Sequence, residues 1–234
     1  MTTTYPSAAS AVRDAGLGLR ERKKQRTRET LIDAATRLCV EQGYDNTTVE
    51  QIAGAAEVSP RTFSRYFPTK EAVIVAIIEE SAERIGQAVA RQPHDITEHD
   101  ALVRAHVEVF RAAERGEPGA MSFGRVTGLL QIVNSSPALG LATFAFQADG
   151  PTRATVEAMA RRMGVSVHHP AVRILFDTWA VLMASACSGL GTAAGPPAAE
   201  GIVCDRIEET YAVFSRLWQP WQTRQQPPAG GSGH

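Results

Sequence analysis

The chain is short of cysteine, of net charge and of long apolar runs, and each shortage removes a class of explanation. Its three cysteines, Cys39, Cys187 and Cys204, are odd in number and far apart, which fits neither a disulfide framework nor a zinc site. Each is expected within a helix as a small apolar residue. A formal net charge of −1 over 234 residues gives no general attraction to nucleic acid. No segment is read as approaching the ~20 apolar residues of a membrane helix. Residues Met1–Gly18 lack the basic start and apolar run of a secretory signal, so the expected compartment is the cytoplasm and no membrane partner is expected.

Catalytic groups are equally scarce. The sequence holds no phosphate loop, no recognisable nucleophile–base pair and no HExxH or His-x3-His helical pair, so neither an enzyme nor a cofactor is expected. His94, Asp95, Glu98, His99 and Asp100 crowd together, but they read as a loop followed by the acidic first turn of a helix, not as metal ligands. No stretch alternates convincingly with period two, so the fold class is all-α, with about nine helices.

What is present is enough apolar material, 44% of residues, to bury a sizeable core, and an uneven distribution of charge. From Arg20 to Lys70 there are ten Lys/Arg against seven Asp/Glu, a net of +3, which leaves −4 on the rest of the chain. A basic head on an acidic body suits a protein that touches DNA at one end.

The head is centred on Thr47–Lys70, TTVEQIAGAAEVSPRTFSRYFPTK. Thr47 and Glu50 have the spacing of a capping box, and Val49, Ile52, Ala53 and Ala56 give a helical apolar stripe. Glu57-Val58 breaks the pattern. Ser59 then reads as an N-cap with Pro60 at the first helical position, and the short helix that follows ends at Pro68. It turns Arg61, Thr62, Ser64, Arg65 and Tyr66 outward and Phe63 and Phe67 inward. Two short helices joined in this way, the second rich in donors, form a helix-turn-helix.

Thr48-Val49, Ile52-Ala53, Ala56, Val58-Ser59, Thr62, Tyr66-Phe67 and the Pro-Thr-Lys-Glu after them resemble the DNA-binding domain of the TetR (tetracycline repressor) family of bacterial transcriptional regulators. With the preceding helix, Thr30–Gly43, the resemblance covers about a quarter of the chain. Two positions depart from the family's pattern. Glu57 stands in the inter-helix turn, where the family often has Gly, and Ser64 stands where an aromatic residue is frequent.

The domain plan is a disordered arm over 1–19, a three-helix DNA-binding domain over 20–72, a helical regulatory and dimerisation domain over 73–220 and a disordered tail over 221–234. The basic run with Arg22, Lys23 and Lys24 is read as a flexible arm that follows phosphates or enters the adjacent minor groove. Arg61 and Thr62 are placed for base edges or nearby phosphates, Tyr66, Lys70 and Thr48 for phosphates, and Ser59, Ser64 and Arg65 complete the DNA-facing set. One head is too small an interface for an operator, so the expected partners are a palindromic DNA duplex and a second copy of the chain.

The resemblance implies a dimer formed by the last two helices, here Ala171–Leu190 and Ile202–Trp218, with Trp179, Leu182, Met183, Phe214 and Leu217 in or beside the contact. It also implies an apolar pocket for an unidentified small-molecule effector, for which Phe110, Met121, Phe123, Leu129, Phe144, Met159, Phe176 and Trp179 are candidates. A ligand-responsive repressor is the leading reading. A DNA-binding protein without small-molecule input, regulated by abundance or architectural, is the alternative.

Overall fold

The computed structural model of the chain describes residues 18–135, 148–192 and 199–223. Among them are nine helices and no strand: α1 Leu19–Gln42, α2 Val49–Ala55, α3 Pro60–Tyr66, α4 Lys70–Arg91, α5 Glu98–Glu114, α6 Phe123–Ser135, α7 Arg153–Met163, α8 Pro170–Cys187 and α9 Ile202–Thr223. The first three and the start of α4 form the head; the rest of α4 and the later helices form the body.

The head is held by side chains that its short helices could not bury alone. Leu31 and Ile32 of α1, Ile52 of α2, Phe63 of α3 and Val73 and Ile77 of α4 are all fully buried. Phe63 and Phe67 meet with ring centroids 5.8 Å apart. The same core continues along α4 through Ile85, Ala88 and Val89 into the body, so α4 belongs to both parts. Its body half lies close against α7. A Cβ on Gly86 would come within 2.7 Å of the Ala154 carbonyl oxygen, and Thr155 Oγ1 donates to the Ala82 carbonyl at 2.9 Å.

In the body, α9 is fastened to α5 at several points. The Tyr211 phenol donates to Asp100 at 2.9 Å, Arg111 donates to Glu208 at 2.8 Å, and Glu114 accepts from the Gly201 backbone N–H at 3.0 Å. Arg162 of α7 donates to the carbonyls of Gln92, Pro93 and Ile96, closing the exposed end of α4. Cys39, Cys187 and Cys204 are buried in helices, and burial pushes the Cys187 and Cys204 thiols up to about 12.

Several boundaries differ from the sequence reading. Helix α1 begins at Leu19, not near Thr30, so the basic run is helical and the expected flexible arm does not begin there. The capping box lies one residue further on: Thr48 Oγ1 accepts from the Gln51 N–H and Gln51 Oε1 accepts from the Thr48 N–H. Thr47 is instead buried, its hydroxyl donating to the Gly43 carbonyl. The apolar, glycine-containing stretch after Met121 is a regular helix. Gly128 is needed there because a Cβ would meet Thr36 Cγ2 at 2.3 Å where α6 crosses α1. The last helix extends to Thr223, beyond the expected start of the tail.

Helix α8 corrects the reading of membrane spans. By length and composition it could cross a membrane, but half of it is buried within the protein. Phe144, one of the effector-pocket candidates, lies outside the described residues.

Candidate nucleic-acid interface

The turn between α2 and α3 is closed by the backbone. The Glu57 N–H bonds the Gly54 carbonyl, and the Val58 N–H reaches back to Ala53 at 2.9 Å. This is the Schellman arrangement, which needs a left-handed residue at its penultimate position. Glu57 takes that position with φ +55°, the one positive φ at a non-glycine among the described residues. Val58 packs against the core, and Ser59 then starts α3 by accepting from the Thr62 N–H at 3.1 Å.

The surface this produces presents Arg61, Ser64 and Arg65, all exposed, on one face of α3. Arg61 stands in the first turn, where a recognition helix meets base edges. The Ser64 hydroxyl donates to the Pro60 carbonyl at 3.1 Å, so in this pose it offers an acceptor outward, not a donor. Thr62 is half-buried, and its hydroxyl lies 3.0 Å from that of Ser59, which makes the two a local capping pair. Tyr66 is half-buried beneath Arg65, whose guanidinium carbon lies 5.3 Å from the ring centroid. Thr48 is exposed at the start of α2, with its oxygen occupied by the cap.

Lys70 is placed differently from the expectation. Its ammonium is turned into the chain, donating to the carbonyls of Tyr44 at 2.8 Å and Thr47 at 3.2 Å, and it lies 4.3 Å from the Tyr44 ring centroid. Of its three N–H donors, two are therefore engaged in fixing the α1–α2 corner. Tyr44 in turn donates its phenol to Glu71 at 2.6 Å. Burial and the Glu71 hydrogen bond push the Tyr44 phenol's pKa up, and the same bond holds the Glu71 carboxyl below its ordinary value.

Head and body meet at Arg125 of α6. Its Nε donates to Asp33 of α1 at 2.7 Å and its Nη1 to Glu80 of α4 at 3.0 Å, with the side chain only 12% exposed. One body residue thus ties together α1, which belongs to the head, and the connecting helix α4. A groove of about 380 Å³ opens beside it between α1 and α6, lined by Thr36, Arg37, Val40, Thr127 and Gln131 among others.

The effector-pocket candidates fall in the body core. Phe110, Met121, Met159, Phe176 and Trp179 are buried, and Phe123 and Leu129 are half-buried at the edge of the core. Sequence reasoning missed His106 among these residues. Its Nδ1 donates to the Leu102 carbonyl at 2.8 Å and its Nε2 accepts from the Trp179 indole at 3.3 Å. Those partners assign the neutral tautomer, and burial pulls the imidazole pKa down to about 4.

The residues expected at a subunit contact divide. Trp179, Leu182 and Met183 face the core of their own protomer, because one stripe of α8 must close the body. Phe214 packs against the same core. Leu217, 74% exposed, remains outward together with Val213 on α9, and α8 adds Ile174 and Val181. Helices α8 and α9 pack side by side.

The chain is similar to several known proteins. Residues 31–77 match the family described as bacterial regulatory proteins, tetR family. Over 165 residues the chain is 34% identical to the HTH-type transcriptional regulator TcmR of Streptomyces glaucescens, a match that spans 70% of this chain and 72% of that protein. Among solved structures, a putative tetR family transcription regulator from Shewanella sp. PV-4 is similar in fold, with a TM-score of 0.50 and 16% identity over 82% of this chain and 97% of the other. The complex of Thermus thermophilus FadR, a TetR family transcriptional repressor, with lauroyl-CoA has a TM-score of 0.49 and 22% identity, covering 88% of this chain and all of that one.

Proposed function

The chain belongs to the tetR family of bacterial regulatory proteins, which are DNA-binding transcription factors and not enzymes, and on that premise we propose that it is a cytoplasmic repressor that binds a palindromic operator as a homodimer and is released by an apolar small molecule. The observation that carries the operator reading is the face of α3, where Arg61, Ser64 and Arg65 stand exposed on a helix anchored from beneath by Phe63. Arg61 reads a base edge, since an arginine can bond guanine O6 and N7 together. Arg65, Tyr66 and the Thr48 cap hydroxyl hold the phosphates on either side.

Dimerisation is supported by Ile174, Val181, Val213 and Leu217, which leave an apolar face on α8 and α9. A second copy would cover this face, and the two-fold axis would give the operator its palindrome. The effector reading is supported by the buried aromatic and methionine side chains of the core, of which Phe110 and Trp179 meet the His106 ring. They supply an apolar, deformable lining with one internal polar pair.

Selection of bound sequences from a random duplex library tests the operator reading: a palindrome should be enriched. Salt-sensitive binding without an enriched sequence would reduce the protein to non-specific DNA association. A thermal-shift screen of apolar compounds tests the effector, because a ligand that binds the native state raises the melting temperature.

A further inference from the structure

The basic run is a helix that overhangs the head. Every residue from Gly18 to Arg26 is exposed, and the first fully buried residue of α1 is Leu31. About two turns of helix therefore project with no core beneath them, continuing the axis that the head fixes.

Helical periodicity sorts the cations of this projection. Arg20, Lys24 and Arg28 follow one another at four-residue steps, and the same line continues through Leu31 and Ala35, which pack into the head. Arg22 and Arg26 point to the opposite side. The direction of the first line is fixed by Arg28, whose guanidinium carbon lies 5.3 Å from the centroid of Phe67, the residue that caps the C-terminal end of α3. Lys24 is joined to Glu21 at 3.2 Å, an exposed pair that an incoming phosphate can replace at little cost.

We infer that Arg20 and Lys24 form a helical phosphate-binding ridge, aligned with the recognition helix and gripping the duplex backbone beside the bases that α3 reads. The partner is duplex DNA, matched by charge and by the position of Arg28 against α3. The inference rests on the operator reading and adds to it a rigid grip of fixed direction in place of a mobile arm. The ridge makes affinity and salt dependence a function of which face of α1 is charged, not of how much charge it holds.

Two double variants of the full chain remove the same charge from opposite faces: Arg20→Gln with Lys24→Gln, and Arg22→Gln with Arg26→Gln. Glutamine keeps the helix propensity of the residues it replaces, and circular dichroism checks that both variants fold. The probe is the duplex recovered from the random library, titrated at several salt concentrations. The first variant should flatten the plot of log affinity against log salt by roughly 2 per bound protomer, about 0.9 for each phosphate no longer neutralised, and weaken all sequences alike. The second should move it by less than half as much. Equal effects from the two pairs, or a larger effect from Arg22 and Arg26, would overturn the ridge while leaving the operator reading intact. Failure of the unaltered chain to bind any duplex would overturn both.

Discussion

The Tyr44 phenol donates to the Glu71 carboxylate at 2.6 Å, joining the corner between α1 and α2 to the first turn of α4. Lys70, one residue earlier, donates to the carbonyl of Tyr44 itself. The start of the long connecting helix and the base of the helix-turn-helix are thus a single hydrogen-bonded unit. Tyr44→Phe keeps the ring and removes the hydroxyl. It should cost about 1 kcal/mol, since Glu71 is exposed enough to take water in exchange. Urea unfolding checks this, and Tyr44→Ala should cost several times more because the ring's packing goes as well.

Arg125 is the corresponding link between body and head. Removing it leaves Glu80 partly buried but still paired with Arg84 at 3.0 Å, so Arg125→Met should cost about 1–3 kcal/mol, below the figure for a wholly unpaired buried charge. Operator affinity should fall by more than this stability change explains, because α1 and α4 no longer share an anchor on α6. Arg125→Lys, which keeps a cation between Asp33 and Glu80, should recover part of that affinity. Binding titrations beside unfolding curves separate the two effects.

Much of this architecture was legible in the sequence, and the reason is locality. Ser59-Pro60, the stripe of Ile52, Ala53 and Ala56, and the inward Phe63 and Phe67 are signals confined to a few residues, and the structure uses each as read. The left-handed φ of Glu57 falls at the turn position where the family often has Gly. What stayed hidden involves distant partners. The bonds of Lys70 into the chain could not be read locally, because its carbonyl partners lie 26 and 23 residues away. Arg125, Asp33 and Glu80 sit on three helices and share no local pattern. The apolar positions of α8 run nearly all round the helix, so its sequence does not separate the face turned to the protomer's own core from the opposite one. Only the packing shows which stripe closes the protomer and which leaves Ile174 and Val181 outside.

His106 gives the body a calculable response to acid. Its pKa in the folded chain, about 4, lies below the ordinary 6.5, so between those values the unfolded chain takes up a proton that the folded chain refuses. Stability from this group is complete above pH 6.5 and declines as the pH falls toward 4, by on the order of 3 kcal/mol. Melting temperatures measured across that range should decline for the unaltered chain. In His106→Leu the same profile should start lower, because the Trp179 indole is deprived of its acceptor, and should be flatter.

The exposed face of α8 and α9 predicts the assembly state. A charge at Val181 and another at Leu217, introduced as Val181→Glu with Leu217→Glu, should leave the fold in place because both side chains point outward. Burying these carboxylates against a second copy is costly, so sedimentation should show monomers where the unaltered chain gives dimers. Operator affinity should fall once the second head is no longer tethered.

The most direct test of the central claim, that α3 reads bases through Arg61 in a two-fold complex, is to repeat the duplex selection with Arg61→Ala. The account predicts a palindrome in which one base pair loses its preference at symmetry-related positions in both half-sites, at a cost of about 1–3 kcal/mol per site. An unchanged palindrome, with all sequences weakened equally, would make Arg61 a phosphate ligand and contradict the claim.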